Sequence, residues 1–445
     1  MTHRSDFDQL NDQINRHMQV IHRCTLPSKK YGVLLLASDP ESRYPYIYPR
    51  DTSSAVQLFR RIVESEKGYD AADDALSLMR AMASFMRDVM VDNGHWGQRY
   101  SVDGEDKSLY KQEDNVAHAI AIICNYLLAA HRTGRDDPEA DSFLDVVNQG
   151  LSYAISSFYH QELNLFESTT SIHESALETG FTCWVNFAYL YAFSLAHQVN
   201  RELDDNDIIK REHLKFRERF LYTISELFIT NNRYIRRISP EGHFDFRPDF
   251  TLLSPFYFGF FHYKSELAEG VDYLAKQLCD PELGMIMRYL PFQRDFSTHV
   301  HAGNGPWLQY TAILAQYYYW VGNQERGDDL LDQIERHTDE DGCIPEHLST
   351  CNRFDWFMES EWRSGLDFAK EFDENILLDN VHFDIILEEA NNMQRSYAWT
   401  GERICRDDPS LVHDGYIQFA CPLMWSHVEF ARALLYRAGD WWKLK

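Results

Sequence analysis

Asp51-Thr52-Ser53-Ser54-Ala55-Val56-Gln57-Leu58-Phe59-Arg60-Arg61-Ile62 brings an apolar side chain back at Ala55, Leu58, Phe59 and Ile62, the three-and-four spacing of one helical face. The stretch leading into it, Tyr46 to Asp51, is of another kind: aromatic, broken by proline and closed by an Arg-Asp pair. This sequence of a polar-aromatic approach and then an apolar helix recurs at Gln112 to Asp114, Leu165 to Glu178, Phe244 to Asp249, Arg288 to Trp307, and Ile344 to His347 running on to Trp425. The helices in between begin after plain polar turns. Six special approaches on alternate helices are what the inner ring of a two-layer helical toroid requires. Outer helices return the chain and the approaches gather at one mouth, where helix N-termini offer unpaired N–H groups.

Periodicity predicts further helices at Ala75 to Met86, Glu113 to His131, Asp141 to Phe158, Leu177 to Ala196, Asp207 to Ile229, Ser265 to Leu278, Pro306 to Trp320, Gly327 to Ile334 and Trp425 to Tyr436. Long strand-like alternation is scarce, so the class is all-α. No linker or low-complexity tract divides the chain, and residues 1–445 read as a single domain. The most irregular stretch, 354–422, holds Trp356, Trp362, Glu388, Glu389 and Trp399 and reads as a partly helical cover over the mouth.

Composition works by exclusion. A net charge of −26 repels phosphate backbones and anionic membranes, so neither nucleic acid nor a membrane is an expected partner. Met1 to Cys24 is polar, interrupted by Arg4, Asp6, Asp8 and Arg16, and has no signal-peptide core. Eight cysteines are scattered singly, Cys343 and Cys351 being the closest pair, and they read as reduced thiols in the cytoplasm. His173, His301 and His347 lack the spacing of a metal site, so no metal and no cofactor is expected. An aromatic share of 14% leaves rings to spare for stacking on sugars.

Two glutamates lie in approaches of the special kind: Glu167 in Leu165-Phe166-Glu167-Ser168 and Glu346 in Ile344-Pro345-Glu346-His347. Two carboxylates facing each other across a pocket can cleave a glycosidic bond. One protonates the leaving oxygen while the other, about 6.5–9.5 Å away, activates water. Glu167 as the acid needs a raised pKa, for which Phe166 and Phe181 are candidate apolar surroundings. Arg50, Asp51 and Arg288 read either as sugar clamps or as structural ion pairs, and Trp96 and Trp307 either as the pocket floor or as core. Asp249 and Asp114 fit helix caps as well as site residues.

Taken in order from Tyr44 to Glu429, these segments resemble the glucoamylase family, glycoside hydrolase family 15. Tyr44-Pro45-Tyr46-Ile47-Tyr48-Pro49-Arg50-Asp51 is similar to the family's aromatic run ending in Arg-Asp, with Tyr48 where a tryptophan is usual. Gly94 to Tyr100, Gln112-Glu113-Asp114, Leu165-Phe166-Glu167 with Gly180-Phe181-Thr182, Asp249 to Leu253, Met287-Arg288-Tyr289 with Gly303 to Trp307, Pro345-Glu346-His347, and Pro422 to His427 look like its later motifs. The resemblance implies an (α/α)6 barrel that removes single glucose units with inversion. It further implies Glu167 as general acid and Glu346 as general base, with Glu359 and Glu361 as alternative bases. Tyr44 would stand beside the catalytic water. Tyr48, Arg50, Asp51, Trp96, Gln112, Asp114, Arg288 and Trp307 would bind substrate.

The chain carries no starch-binding module or amino-terminal β-sandwich of the kind seen in relatives of that family. With the cover, this points to short α-glucosides such as isomaltose or malto-oligosaccharides. Two other classes stay open: an inverting glycoside phosphorylase, in which inorganic phosphate replaces the activated water, and a catalytically silent sugar-binding barrel.

Overall fold

The computed structural model describes residues 6–42, 44–91, 93–173, 178–203, 209–260, 263–288, 305–350 and 416–441. Its helices are α1 (Asp6–Arg23), α2 (Pro49–Val63), α3 (Ala72–Val89), α4 (Asn115–Arg132), α5 (Ala140–Ser157), α6 (Cys183–Leu203), α7 (Arg211–Leu227), α8 (Ser254–Tyr257), α9 (Lys264–Leu278), α10 (Leu308–Trp320), α11 (Gln324–Glu335) and α12 (Met424–Arg437). A 3-10 turn, Phe250–Leu253, runs straight into α8.

Helix packing closes a ring. α2 packs on α4, α4 on α6, α6 on α8, the 3-10 turn before α8 on α10, α10 on α12, and α12 back on α2. Outside it lie α3, α5, α7, α9, α11 and α1, packed on α2, α4, α6, the 3-10 turn, α10 and α12 respectively. The chain is thus an (α/α)6 barrel whose last inner helix is backed by the first helix of the sequence.

Inner and outer helices differ as their positions demand. α4 is buried at every residue from Asn115 to Ala130, which needs a side chain acceptable to the core on all faces. Its outer partner α5 buries only the stripe Phe143, Leu144, Val146, Val147, Gly150, Leu151 and Ala154. α1 does the same with Leu10, Ile14, Met18 and Ile21, so the polar amino-terminal stretch is an amphipathic helix, and regular structure begins well before Asp51.

Small β elements serve the mouth. Tyr159–His160 pairs with Leu165–Phe166, and Phe181–Thr182 joins Arg237–Ile238 and Phe244–Asp245. His347–Thr350 pairs antiparallel with Tyr416–Phe419. Glu346 therefore leads into a strand, not directly toward a helix, and the end of the expected cover is the partner of that strand. The remainder of the cover, 354–415, with Glu359 and Glu361, lies outside the described residues, as does His301. Among the described residues no helix is long and apolar enough to cross a membrane.

Candidate active site

The segment that carries Glu346 is held from both sides. The Glu346 N–H donates to the carbonyls of Phe419 and Ala420 at 2.9 and 3.3 Å, and its own carbonyl accepts the N–H of Leu308, the first residue of α10, at 3.0 Å. His347 is sandwiched between Trp307 and Phe419, ring centroids 4.7 and 4.4 Å away and nearly parallel. Gly305 runs so close to this strand that an added Cβ would sit 1.8 Å from the Leu348 carbonyl oxygen, so only glycine fits. The Tyr44 hydroxyl donates to Glu346 Oε2 at 3.3 Å, and His347 Nδ1 lies 3.5 Å from the same oxygen. Tyr48 meets Tyr44 edge-on at 6.3 Å and accepts a 3.4 Å hydrogen bond from Arg99.

The segment that leads to Glu167 is a short hairpin. Phe166 turns its ring into the core, stacked on Tyr189 at 3.9 Å. The Glu167 N–H continues the ladder to the Phe158 carbonyl, and alternation along extended backbone sends the Glu167 side chain to the face opposite Phe166. The Phe166 ring is thus part of the core packing rather than a cover over the carboxyl group. Beyond Glu167 the loop is pinned at nearly every residue. Ser168 Oγ and the Thr169 N–H donate to Glu113 Oε2, Thr170 Oγ1 donates to the Lys111 carbonyl, the Ser171 carbonyl accepts Arg50 Nη2, and the Ile172 carbonyl accepts Arg288 Nη2.

The two arginines therefore brace the loop as well as stand at the mouth. Arg50 grips Asp114 with two nitrogens at 3.0–3.2 Å, while the Trp184 indole donates to Asp114 at 3.0 Å. The Asp114 carboxylate is fully buried, and Arg50 together with these donors holds its pKa well below the usual range against the cost of burial. Asp114 stands at the N-cap position of α4 but makes no capping hydrogen bond, so the cap expectation fails because the side chain is engaged by Arg50. Asp249 does cap, accepting the Thr251 N–H at 2.7 Å.

Arg288 donates from Nε to His173 Nδ1 at 2.7 Å and lies over the Trp307 ring at 4.7 Å. Behind it is a sealed charge network. Arg236 bonds Asp249, reaches Asp245 at 2.6 Å, and lies 3.4 Å from Glu178; His173 Nε2 is 3.3 Å from Asp249. Burial raises the Glu178 pKa to about 7, partly offset by Arg236, and lowers that of His173 to about 3, with Arg288 adding to the effect. Ligand atoms of His173, Glu178 and Asp249 lie within 4.8 Å of one another, close enough for a cation. The Arg236 guanidinium already supplies the positive charge between these carboxylates, so the set fits a charge-balanced brace and not a metal.

Tyr310 marks where the mouth converges. Stacked between Phe250 and Trp307, its hydroxyl lies in the combined field of Arg288, Arg50, Glu346 and Asp51, and burial pushes its pKa up. Arg50, Asp51, Arg288, Trp307 and Glu346 are thus brought together with Tyr44 and Tyr48. Gln112 is buried beside them, accepting from Asn115 at 3.2 Å. Trp96 is not part of this set: it is 0% exposed, donates its indole N–H to the Met86 carbonyl and touches Gly150, so it is core. Sequence reading passed over Tyr310, Trp184, Glu113, His173 and Glu178 as site residues. Only Tyr310 carried a local signal, one turn beyond Trp307 on the same helical face.

No family model matches this sequence, and no curated protein is similar to it in sequence. Solved structures do match. A wild-type glycosidase superposes at TM-score 0.61 with 15% identity, over 98% of this chain and 99% of that one. The glucoamylase of Saccharomycopsis fibuligera follows at TM-score 0.59 and 14% identity over 97% and 95%. The fold is that of the glucoamylases. A bacterial glucoamylase complexed with acarbose gives TM-score 0.59 and 14% identity over 97% of this chain and 56% of that one.

Proposed function

We propose that the protein is an inverting, exo-acting α-glucoside hydrolase that releases β-glucose from the non-reducing end of short α-glucosides, isomaltose-like or malto-oligosaccharide. One observation carries the reading: the Glu346 carboxylate accepts the Tyr44 hydroxyl at a mouth that also gathers Arg50, Asp51, Arg288 and Trp307, in a glucoamylase-type barrel. In this reading Glu346 takes a proton from a water that attacks the anomeric carbon, with Tyr44 helping to orient carboxylate and water. Glu167 protonates the departing oxygen. Tyr44 and Tyr48 offer aromatic surface for the sugar ring, with Trp307 buried behind the mouth, and Asp51, Arg50 and Arg288 would take its hydroxyls. Glucose and acarbose in complexes of similar structures belong to those proteins, and they agree in kind with the substrate class proposed.

Short substrates and a cytoplasmic setting are part of the same proposal. An NMR time course on isomaltose, maltose, trehalose and soluble starch tests all of it, since product anomer and preference are read together. The expected first product is β-glucose, formed fastest from a disaccharide. Initial α-glucose would overturn the inverting mechanism, and a clear preference for starch would overturn the assignment to short substrates.

A further inference from the structure

Two cysteines far apart in sequence meet behind the base-bearing segment. Cys343, three residues before Glu346, is fully buried and its sulfur accepts Arg23 Nη1 at 3.1 Å. Cys421, which directly follows the two residues whose carbonyls hold the Glu346 N–H, donates its S–H to Asp339 Oδ2 at 3.7 Å, and the other oxygen of that carboxylate accepts the Cys343 N–H at 2.7 Å, so one aspartate holds both cysteines. Both thiols are free. We propose that Cys343 and Cys421 are an oxidisable thiol pair that takes peroxide as its oxidant and links the two backbone segments flanking Glu346.

The pair is chemically asymmetric. The neighbouring Cys421 thiol and, less strongly, Arg23 favour a thiolate at Cys343, whereas burial and Asp339 oppose it; the balance lies below the ordinary thiol value. Cys421 is pushed the other way by Cys343, by burial and by Asp339. One sulfur is therefore the nucleophile and the other the resolving thiol. A cavity of about 690 Å³ between α1 and the turn before Glu346, lined by Gln13, Arg16, Arg23, Asp341, Gly342 and Ile344, lies beside the buried Cys343, and Cys421 is itself only partly buried. Arg23 spans from that cavity to the sulfur.

The chemistry closes without another reactant. The Cys343 thiolate attacks one oxygen of hydrogen peroxide, the O–O bond breaks, and hydroxide leaves to become water on taking a proton. The resulting sulfenic acid is attacked by the Cys421 sulfur, which gives up its proton. The S–O bond breaks, a second water departs and an S–S bond forms. Two thiols are oxidised and one peroxide is reduced.

Closing the bond draws the sulfurs from hydrogen-bonding contact to about 2.05 Å. Neither backbone segment can absorb that change alone, because the Leu423 N–H is bonded to the Ile344 carbonyl and the Glu346 N–H to Phe419 and Ala420. The displacement reaches the Glu346–Tyr44 contact. This last step rests on the reading of Glu346 as the base, whereas the thiol chemistry does not.

The test treats the full-length protein with one equivalent of hydrogen peroxide, digests it without reductant and identifies linked peptides by mass spectrometry. A Cys343–Cys421 cross-link that dithiothreitol reverses is expected. In Cys421→Ser, dimedone should trap a sulfenic acid at Cys343, and Arg23→Gln should slow its formation. Oxidation that falls on Cys279 or other thiols while Cys343 and Cys421 stay reduced would overturn the proposal. Isomaltose turnover should drop about tenfold or more on cross-linking and return with dithiothreitol, since small misplacements of reacting groups cost that much. Cys421→Ser, which cannot form the cross-link, should keep its turnover after peroxide. A cross-link with unchanged turnover would overturn the coupling to Glu346. A cross-link in a protein that hydrolyses no α-glucoside would remove the hydrolase reading and leave the thiol pair standing.

Discussion

The two flanks of the mouth are held by different means. On the Glu167 side, five consecutive loop residues are tied down, and all but the Thr170 tie end in buried charge: Glu113, Arg50 with Asp114, and Arg288 with the Arg236, Asp249, Glu178 and His173 network. On the Glu346 side the support is a two-stranded ladder, an aromatic sandwich around His347 and one phenol. Buried charges fix geometry sharply but depend on every partner, because one left alone costs more than the pair gives. Ladders and stacked rings tolerate displacement. Under the proposed roles, an acid aimed at a leaving oxygen would suit the first kind of support, and a base that admits and releases a water would suit the second.

The largest effects should come from the two carboxylates themselves, and they break the comparison outright. Glu167→Gln and Glu346→Gln are each expected to lower kcat for isomaltose by about 10²–10⁴-fold with little change in KM. Azide should rescue Glu346→Gln with formation of an α-configured or β-configured adduct that reports which face is open. Wild-type turnover from either variant would remove that residue from the chemistry.

Next in size is the brace. Asp114→Ala removes the buried carboxylate that balances Arg50, and the expected loss is about 3–5 kcal/mol in denaturant unfolding, with kcat falling as the loop after Glu167 loosens. The corresponding change on the other flank, His347→Ala, removes stacking without stranding a charge and should cost clearly less. Equal losses would erase the distinction drawn between the flanks.

Glu178 sharpens it through pH. Its folded-state pKa of about 7 lies above the unfolded value of 4.5, so between these values the native state holds a proton that the unfolded state has released. That term therefore stabilises at low pH and is lost as pH rises from 4.5 to 7. His173 runs oppositely: its folded pKa of about 3 lies below 6.5, so its term is complete above pH 6.5 and is lost as pH falls. Glu178→Gln deletes the first term alone. Relative to the parent, the variant should gain stability across pH 4.5 to 7, by about 3 kcal/mol at most for a shift of this size. A parallel pair of stability curves would show that Glu178 does not titrate in that window.

The ring of helices was legible because its cause is local. An inner helix buried on all faces reads as apolar all round, and its polar-aromatic approach interrupts that run where the chain meets the mouth. All six approaches read this way lead to inner helices, although the fourth helix is only a 3-10 turn and one α turn. α1 was missed although Leu10, Ile14, Met18 and Ile21 carry its stripe, since the charges between them drew attention and its partner α12 lies at the far end of the chain. Asp114 read as a cap because its place before α4 is visible in sequence while Arg50, sixty-four residues away, is not tied to it by any pattern. The Arg236 network is the extreme case. Its members come from a loop, a strand and a cap, and only the fold makes them neighbours. Trp96 shows the converse error, a tryptophan in a motif-like setting whose N–H is consumed by a core carbonyl.

The smallest effect expected is also the most specific to the Glu346 flank. Tyr44→Phe keeps the ring that meets Tyr48 edge-on and removes only the hydroxyl 3.3 Å from Glu346 Oε2. A hydrogen bond to a charged acceptor contributes about 1.5–3 kcal/mol, but the contact is long and the carboxylate is partly open to water, which can replace the lost donor. The change should therefore lower kcat by about tenfold and leave KM near the parent value. Tyr48→Phe, which removes the hydroxyl that accepts from Arg99, should leave kcat near the parent value. If both variants lower kcat alike, the effect belongs to the aromatic wall in general, and the Glu346 segment is held by the ladder alone.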